Sequence, residues 1–163
     1  ETLSDWGTKT KDLDVLTEYV RHALRRTICQ QYAVPTEAGP GARPGTAGFK
    51  IVCVTLDPAM EDVIGAYVDR SSGGTVVNMP ARVATAVSGQ VLAALRTLTQ
   101  AGHAPVVLAS PQVRAVVRQL LEPHLPTVAV LGYNEAVAGV EIESLALVTP
   151  PGGIAGVPAA AAA

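Results

Sequence analysis

Basic charge is in short supply. Against 14 Asp and Glu stand 12 Lys and Arg, for a net charge of −2. That leaves no cationic footprint for a phosphate backbone, so nucleic acid is not an expected partner. Cysteine is reduced to two thiols, Cys29 and Cys53, without a repeat spacing; they read as buried apolar residues in a reducing compartment, not as a disulfide. No apolar run approaches the ~20 residues needed to cross a bilayer, and no charged-then-apolar leader opens the chain, so no direct membrane contact is expected of it. His22, His103 and His124 lie on separate elements with no Cys or carboxylate at ligand spacing, which leaves metal binding without a motif. The glycine runs GPGARPG and SSGG lack the lysine and following hydroxyl of a phosphate loop, so no cofactor is expected either.

The 163 residues suffice for one main core. The chain opens on Glu1 in mid-pattern, as expected of a piece of a longer protein. Its most informative stretch is residues 106–135, VVLASPQVRAVVRQLLEPHLPTVAVLGYNE. Val106 to Ala109 is a short apolar run. Ser110-Pro111 supplies a hydroxyl N-cap with proline at the first helical position, where its missing N–H costs nothing. Val113, Val116, Val117, Leu120 and Leu121 then line one helical face, and Pro123 and Pro126 end the helix. A second apolar run, Val128 to Leu131, completes a βαβ unit with parallel strands.

In chain order, Asp12 caps one long helix reaching about Tyr32. Leu13, Leu16, Val20, Ala23, Leu24 and Ile28 form its apolar stripe, and Glu18, Arg21, His22, Arg25 and Arg26 form a solvated opposite face. Residues 33–48, rich in Gly and Pro, read as a flexible loop without regular structure. Phe49 to Leu56 is a strand. Asp57-Pro58 repeats the cap-plus-proline device, opening a helix that carries Met60, Val63, Ile64, Tyr67 and Val68 and ends near Arg70. A turn at 71–74 and a short edge strand at 75–79 follow. Pro80 then opens a helix with stripe Val83, Val87, Val91, Leu95 and Leu98, and Gly102 is its C′ residue. Residues 141–148 form a last strand at a sheet edge, with a bulge or kink where the alternation slips at Ser144-Leu145. Residues 149–163 are a loose tail. The fold class expected is α/β, a small mostly parallel sheet flanked by helices and preceded by a helical segment.

The strand ends bring Asp57, Ser110, Tyr133, Asn134 and Glu135 to one rim of that sheet, where α/β proteins place ligands. A phosphotransfer or small-molecule site using Asp57, Ser110 and Asn134 is one reading. It lacks the acidic neighbours a metal would need, and a positioned His and oxyanion hole for a nucleophilic serine. N-capping accounts for Asp57 and Ser110 without further function, so no enzyme activity is expected. Trp6, Leu13 and Tyr19 read equally as partner-facing residues or as core separated from its other half.

Three phrases, LTEYVRHALRRTICQQY (16–32), VTLDPAMED (54–62) and LASPQVRAVVRQLLEPHLPTVAVLGYNEA (108–136), resemble, in order and spacing, the C-terminal end of the type III secretion export-gate (FHIPEP) family. The resemblance covers residues 1–148. Gly132 stands where the family more often has Ser, and the 33–48 loop is longer and richer in Gly and Pro than the family's. The resemblance implies an inner-membrane protein with an N-terminal transmembrane part and a cytoplasmic part of four subdomains assembled as a nine-membered ring. Residues 1–32 would close the third subdomain and residues 49–148 would form the fourth. It further implies a docking platform on the cytoplasmic face of the bacterial inner membrane, a flagellar one being favoured over an injectisome. Its implied partners are export chaperone–substrate complexes and the stalk protein of the export ATPase. Partner or ring contacts are expected at Trp6, Leu13, Glu18, Tyr19, Arg21, Arg25, Arg114 and Arg118.

Overall fold

The computed structural model describes residues 1–36, 48–71 and 74–152. Most of the expected loop at 33–48 and tail at 149–163 therefore lies outside the described residues. Three short helices come first: α1 (Thr2–Trp6), α2 (Leu13–Ala23) and α3 (Arg25–Tyr32). The strand β1 (Val34–Pro35) precedes β2 (Phe49–Leu56) and α4 (Pro58–Gly65). A hairpin of β3 (Val68–Ser71) and β4 (Gly74–Val77) leads to the long α5 (Ala81–Gln100). The chain ends in β5 (Val106–Ala109), α6 (Pro111–Leu121), β6 (Ala129–Gly132), a 3-10 turn at Tyr133–Glu135 and β7 (Val140–Val148).

The β5–α6–β6 unit is parallel, as the apolar runs predict, with Val106 opposite Ala129 and Ala109 opposite Gly132. β2 pairs β5 in parallel on one edge and β7 in parallel on the other, giving the order β6–β5–β2–β7. The slip expected at Ser144-Leu145 is a true bulge: Ser144 faces Cys53, whereas Ala146 faces Val54. Among the described residues β7 has β2 as its one partner, which makes it an edge strand. No helix of the described residues is long and apolar enough to cross a membrane.

The centre of the sheet is covered on both faces, which is why β2 carries the consecutive buried residues Ile51 to Val54 and not a strict alternation. On the first face Val52, Val54 and Leu56 pack with Val107 and Val130 against the buried stripes of α4, α5 and α6. On the second, Ile51, Cys53, Val106, Leu108 and Leu131 pack against Cys29, Ile28 and Tyr32 of α3. The α5 stripe is as predicted, with Val83, Val87, Val91, Leu95 and Leu98 buried. Its end is closed by Gly102 at φ +85°, where the Gly102 and His103 N–H groups return to the Thr99 and Leu98 carbonyls. That pair of bonds in the left-handed region is a Schellman cap, open to glycine without strain.

Five expectations need correction. The helix expected over 12–32 is interrupted at Leu24, whose ψ is 7°; there the Arg25 guanidinium donates to the His22 carbonyl at 3.4 Å, taking up an acceptor that belongs to the helix ladder. The apolar stripe is also only partly the covered face: Ile28 packs against the core and Leu16 and Val20 are half-buried, but Leu13, Ala23 and Leu24 are exposed, while Glu18 and Arg21 turn inward to ion-pair partners. The helix after Asp57 stops at Gly65, and Val68–Ser71 is a strand because the chain folds back to pair it with β4. The Ser110 hydroxyl makes no capping bond; the Val113 and Arg114 N–H groups go to the Ser110 carbonyl instead. Within 33–48, Val34 and Pro35 are not irregular but pair antiparallel with Lys50 and Phe49.

Candidate functional site

The helical arm at the start of the chain has two unlike faces. Leu3, Leu13 and Leu24 are 59%, 76% and 51% exposed, large aliphatics that the described residues leave largely uncovered. Trp6 stacks on Tyr19 with ring centroids 3.8 Å apart and planes within 10°, and the Lys9 ammonium sits 4.2 Å from the Trp6 centroid. These contacts fasten α1 to α2. Arg25 stays on the arm, its Nη1 2.9 Å from His22 Nε2.

The inner side is polar. Asp12 Oδ1 accepts the Asp14 and Val15 N–H groups, and its Oδ2 accepts the Thr75 hydroxyl of β4 at 3.0 Å. Partial desolvation raises the Asp12 pKa, but the bonds from Val15, Thr75 and Asp14 outweigh it and hold the carboxyl below its ordinary value. One turn on, Glu18 Oε1 lies 2.5 Å from Arg114 Nη2 of α6 and accepts from Arg114 Nε at 2.6 Å. Arg21 Nε lies 2.7 Å from Glu135 Oε1 and its Nη2 donates to Glu135 Oε2 at 2.8 Å. Arg114 and Glu135 are 6% and 2% exposed, so removing either one's partner would leave a buried charge uncompensated. Glu135 Oε2 also accepts the Gly132 N–H at 2.8 Å. A Cβ at Gly132 would stand 2.3 Å from Asn134 Oδ1, so a side chain there would require the Asn134 amide to shift.

Packing around these pairs is open. A cleft of about 360 Å³ lies between Asp14, Thr75 and Gln119. Another of about 260 Å³ lies between Val15, Tyr19 and Gln112, and one of about 170 Å³ between Arg21, Tyr32 and Arg118. Arg118 ties the end of α6 to the following loop, donating to the Val128 carbonyl and lying 3.3 Å from Glu122 Oε1.

The eight residues expected at contacts thus divide. Leu13 is open, Trp6 and Tyr19 are half-buried against each other, and Arg25 is engaged with His22. Glu18, Arg21 and Arg114 form the junction between arm and sheet, with Arg118 beside it. Sequence reasoning placed Glu135 on the sheet rim and missed its junction role. Its spacing three residues after Gly132, where a carboxylate reaches back to a backbone N–H, was the available signal.

At the rim, Asp57 Oδ1 accepts the Ala59 N–H at 2.8 Å, a side-chain N-cap as expected. Glu61, unremarked in the sequence, accepts the Ser110 N–H at 2.7 Å and so joins α4 to the β5–α6 turn. Burial, then the Glu61 and Cys53 charges, push the Tyr133 phenol up, and burial alone pushes the Cys53 thiol to about 11. Both are therefore neutral at pH 7, and Cys53 is a packing residue without thiolate character. Asn134 Oδ1 is buried with no hydrogen-bond partner among the described residues. Those residues also hold no group of three or more His, Cys, Asp or Glu that could bind a metal ion.

Against known proteins, residues 1–141 match the model of the FHIPEP family. The flagellar biosynthesis protein FlhA of Bacillus subtilis is 32% identical over 148 residues, covering 91% of this chain and 20% of that protein. The chain therefore spans about a fifth of the length of that curated relative. Among solved structures, the nonameric EscV cytosolic domain from the type III secretion system aligns with TM-score 0.60 and 27% identity, over 90% of this chain and 40% of that one. The Chlamydia pneumoniae CdsV and CdsO protein complex aligns with TM-score 0.66 and 27% identity, over 91% and 40%. With a family match running from the helical arm to the start of β7, the chain belongs to the FHIPEP family.

Proposed function

We propose that this chain is the end of the cytoplasmic docking platform of a type III export gate, contributing to ring assembly and to the binding of export chaperone–substrate complexes and the ATPase stalk protein. The observation that carries the reading is the exposure of Leu3, Leu13 and Leu24, on an arm whose Glu18 and Arg21 are already committed to the α/β unit. Exposed leucines of this size on otherwise charged helices are candidates for contact with another protein. Membership of the family supports the reading, as do a nonameric relative and a relative complexed with CdsO. In this proposal Leu13, Trp6, Tyr19 and Arg25 offer the contact surface, and Glu18, Arg21, Arg114 and Arg118 set its angle to the sheet. The platform works at the cytoplasmic face of the bacterial inner membrane, most fittingly in a flagellum.

The test is Leu13→Asp with Leu24→Asp in the complete cytoplasmic part. The expected outcome is loss of the ring species in sedimentation, or weakened capture of chaperone complexes, with an unchanged helical circular-dichroism spectrum. Intact rings together with undiminished capture would overturn the assignment of this surface.

A further inference from the structure

The two helices either side of Leu24 are held to the sheet by different physics. α3 buries Cys29 completely and packs Ile28, Tyr32 and Ala33 into the second-face core. α2 buries no residue at all. Val15, Leu16, Tyr19 and Val20 of α2 are only half-buried, and its polar ties to the α/β unit are the Asp12–Thr75 hydrogen bond, the Arg21 bond to the Val130 carbonyl and the pairs Glu18–Arg114 and Arg21–Glu135, set among clefts of about 360, 260 and 170 Å³.

We propose that residues 2–23 form an arm that swings off the α/β unit about Leu24, with Glu18–Arg114 and Arg21–Glu135 as its release latches. Three observations make the junction separable. Both members of an ion pair regain hydration on parting, which offsets part of the lost attraction, whereas an apolar contact loses all of its own. Glu18 and Arg21 retain 21% and 25% side-chain exposure against 7% and 2% for Arg114 and Glu135, so water reaches the arm's half of each latch. Among the described residues Glu18 Oε2 is buried without a hydrogen-bond partner, an acceptor that opening would hydrate. The pivot is already formed: Leu24 has left helical geometry, with ψ 7° and 51% exposure, while Leu24 N–H to Val20 and Ile28 N–H to Leu24 bonds keep the chain joined. The inference concerns this chain alone and does not rest on the export reading.

Hydrogen–deuterium exchange of the whole chain tests it. An 11-residue helix without its support is marginal, so opening is read as faster exchange of α2 amides. Between about 0.05 M and about 1 M NaCl, α2 exchange should rise roughly threefold or more, with α3 and α6 unchanged. Arg114→Gln should raise it about tenfold in low salt and remove most of the salt response. The double exchange Glu18→Arg with Arg114→Glu should return protection toward the original, which loss of packing would not. The proposal fails if α2 exchange is indifferent to salt, if α3 accelerates in step with α2, or if the double exchange melts normally yet leaves α2 unprotected. Should a variant not fold, the salt series on the unaltered chain still decides.

Discussion

α2 and α6 are each 11 residues long, each opens at an extended N-cap residue and each carries aliphatics at steps of three and four. Their fates are opposite. α6 buries Val113, Val116, Val117 and Leu121 against the first face of the sheet, a contribution of roughly 1.5–3 kcal/mol for each side chain before entropy is charged. α2 has no fully buried residue and meets α6 and the turn after β6 through its carboxylate and guanidinium groups. An amphipathic stripe therefore says that a helix has an apolar side, not which neighbour receives it. In α6 the receiver is the adjoining sheet; in α2 Leu13 and Ala23 stay exposed, Leu16 and Val20 are half-buried, and the charges form the joint.

That contrast can be broken at several strengths. The largest effect is expected from Leu121→Ala in α6, which is 1% exposed and should cost about 2–5 kcal/mol through lost transfer and a residual cavity, read as a fall in the urea midpoint at constant slope. A normal midpoint would show that the α6 side is no better packed than the α2 side. An intermediate effect is expected at Asp57→Ala, about 1 kcal/mol for a lost N-cap bond, seen in thermal melts. Loss of binding to any small ligand with an unchanged melt would instead return the rim to consideration as a site. The smallest is Leu13→Ser, expected within about 0.5 kcal/mol because the side chain meets mainly water in this chain. A substantial drop would mean that the outer face of α2 is covered after all.

Much of the α/β unit was legible in the sequence because its signals are local. Ser110-Pro111 and Asp57-Pro58 begin helices and Gly102 ends one through bonds within a few residues, while the slip at Ser144-Leu145 shows locally as a break in alternation and becomes a bulge on pairing with β2. The junction was not legible. Glu18 and Arg114 are 96 positions apart, and Arg21 and Glu135 are 114. No periodicity links them, so solvated charge was the default for each taken singly. The β3–β4 hairpin was hidden for a related reason: Tyr67 and Val68 continue the α4 stripe in sequence, and only pairing with Val77 decides for a strand.

The placement of β7 has a bearing on how the molecule is made. Its Glu143 meets Lys50 of β2 across 93 positions of chain, so on a ribosome one side of the earliest long strand must wait, open, for nearly the last residues of the sheet to emerge. Such a late, non-local closure is slow and exposes an unpaired strand in the interim. Nascent chains halted before Val140 would accordingly be the ones that stick to one another or need a chaperone's shelter.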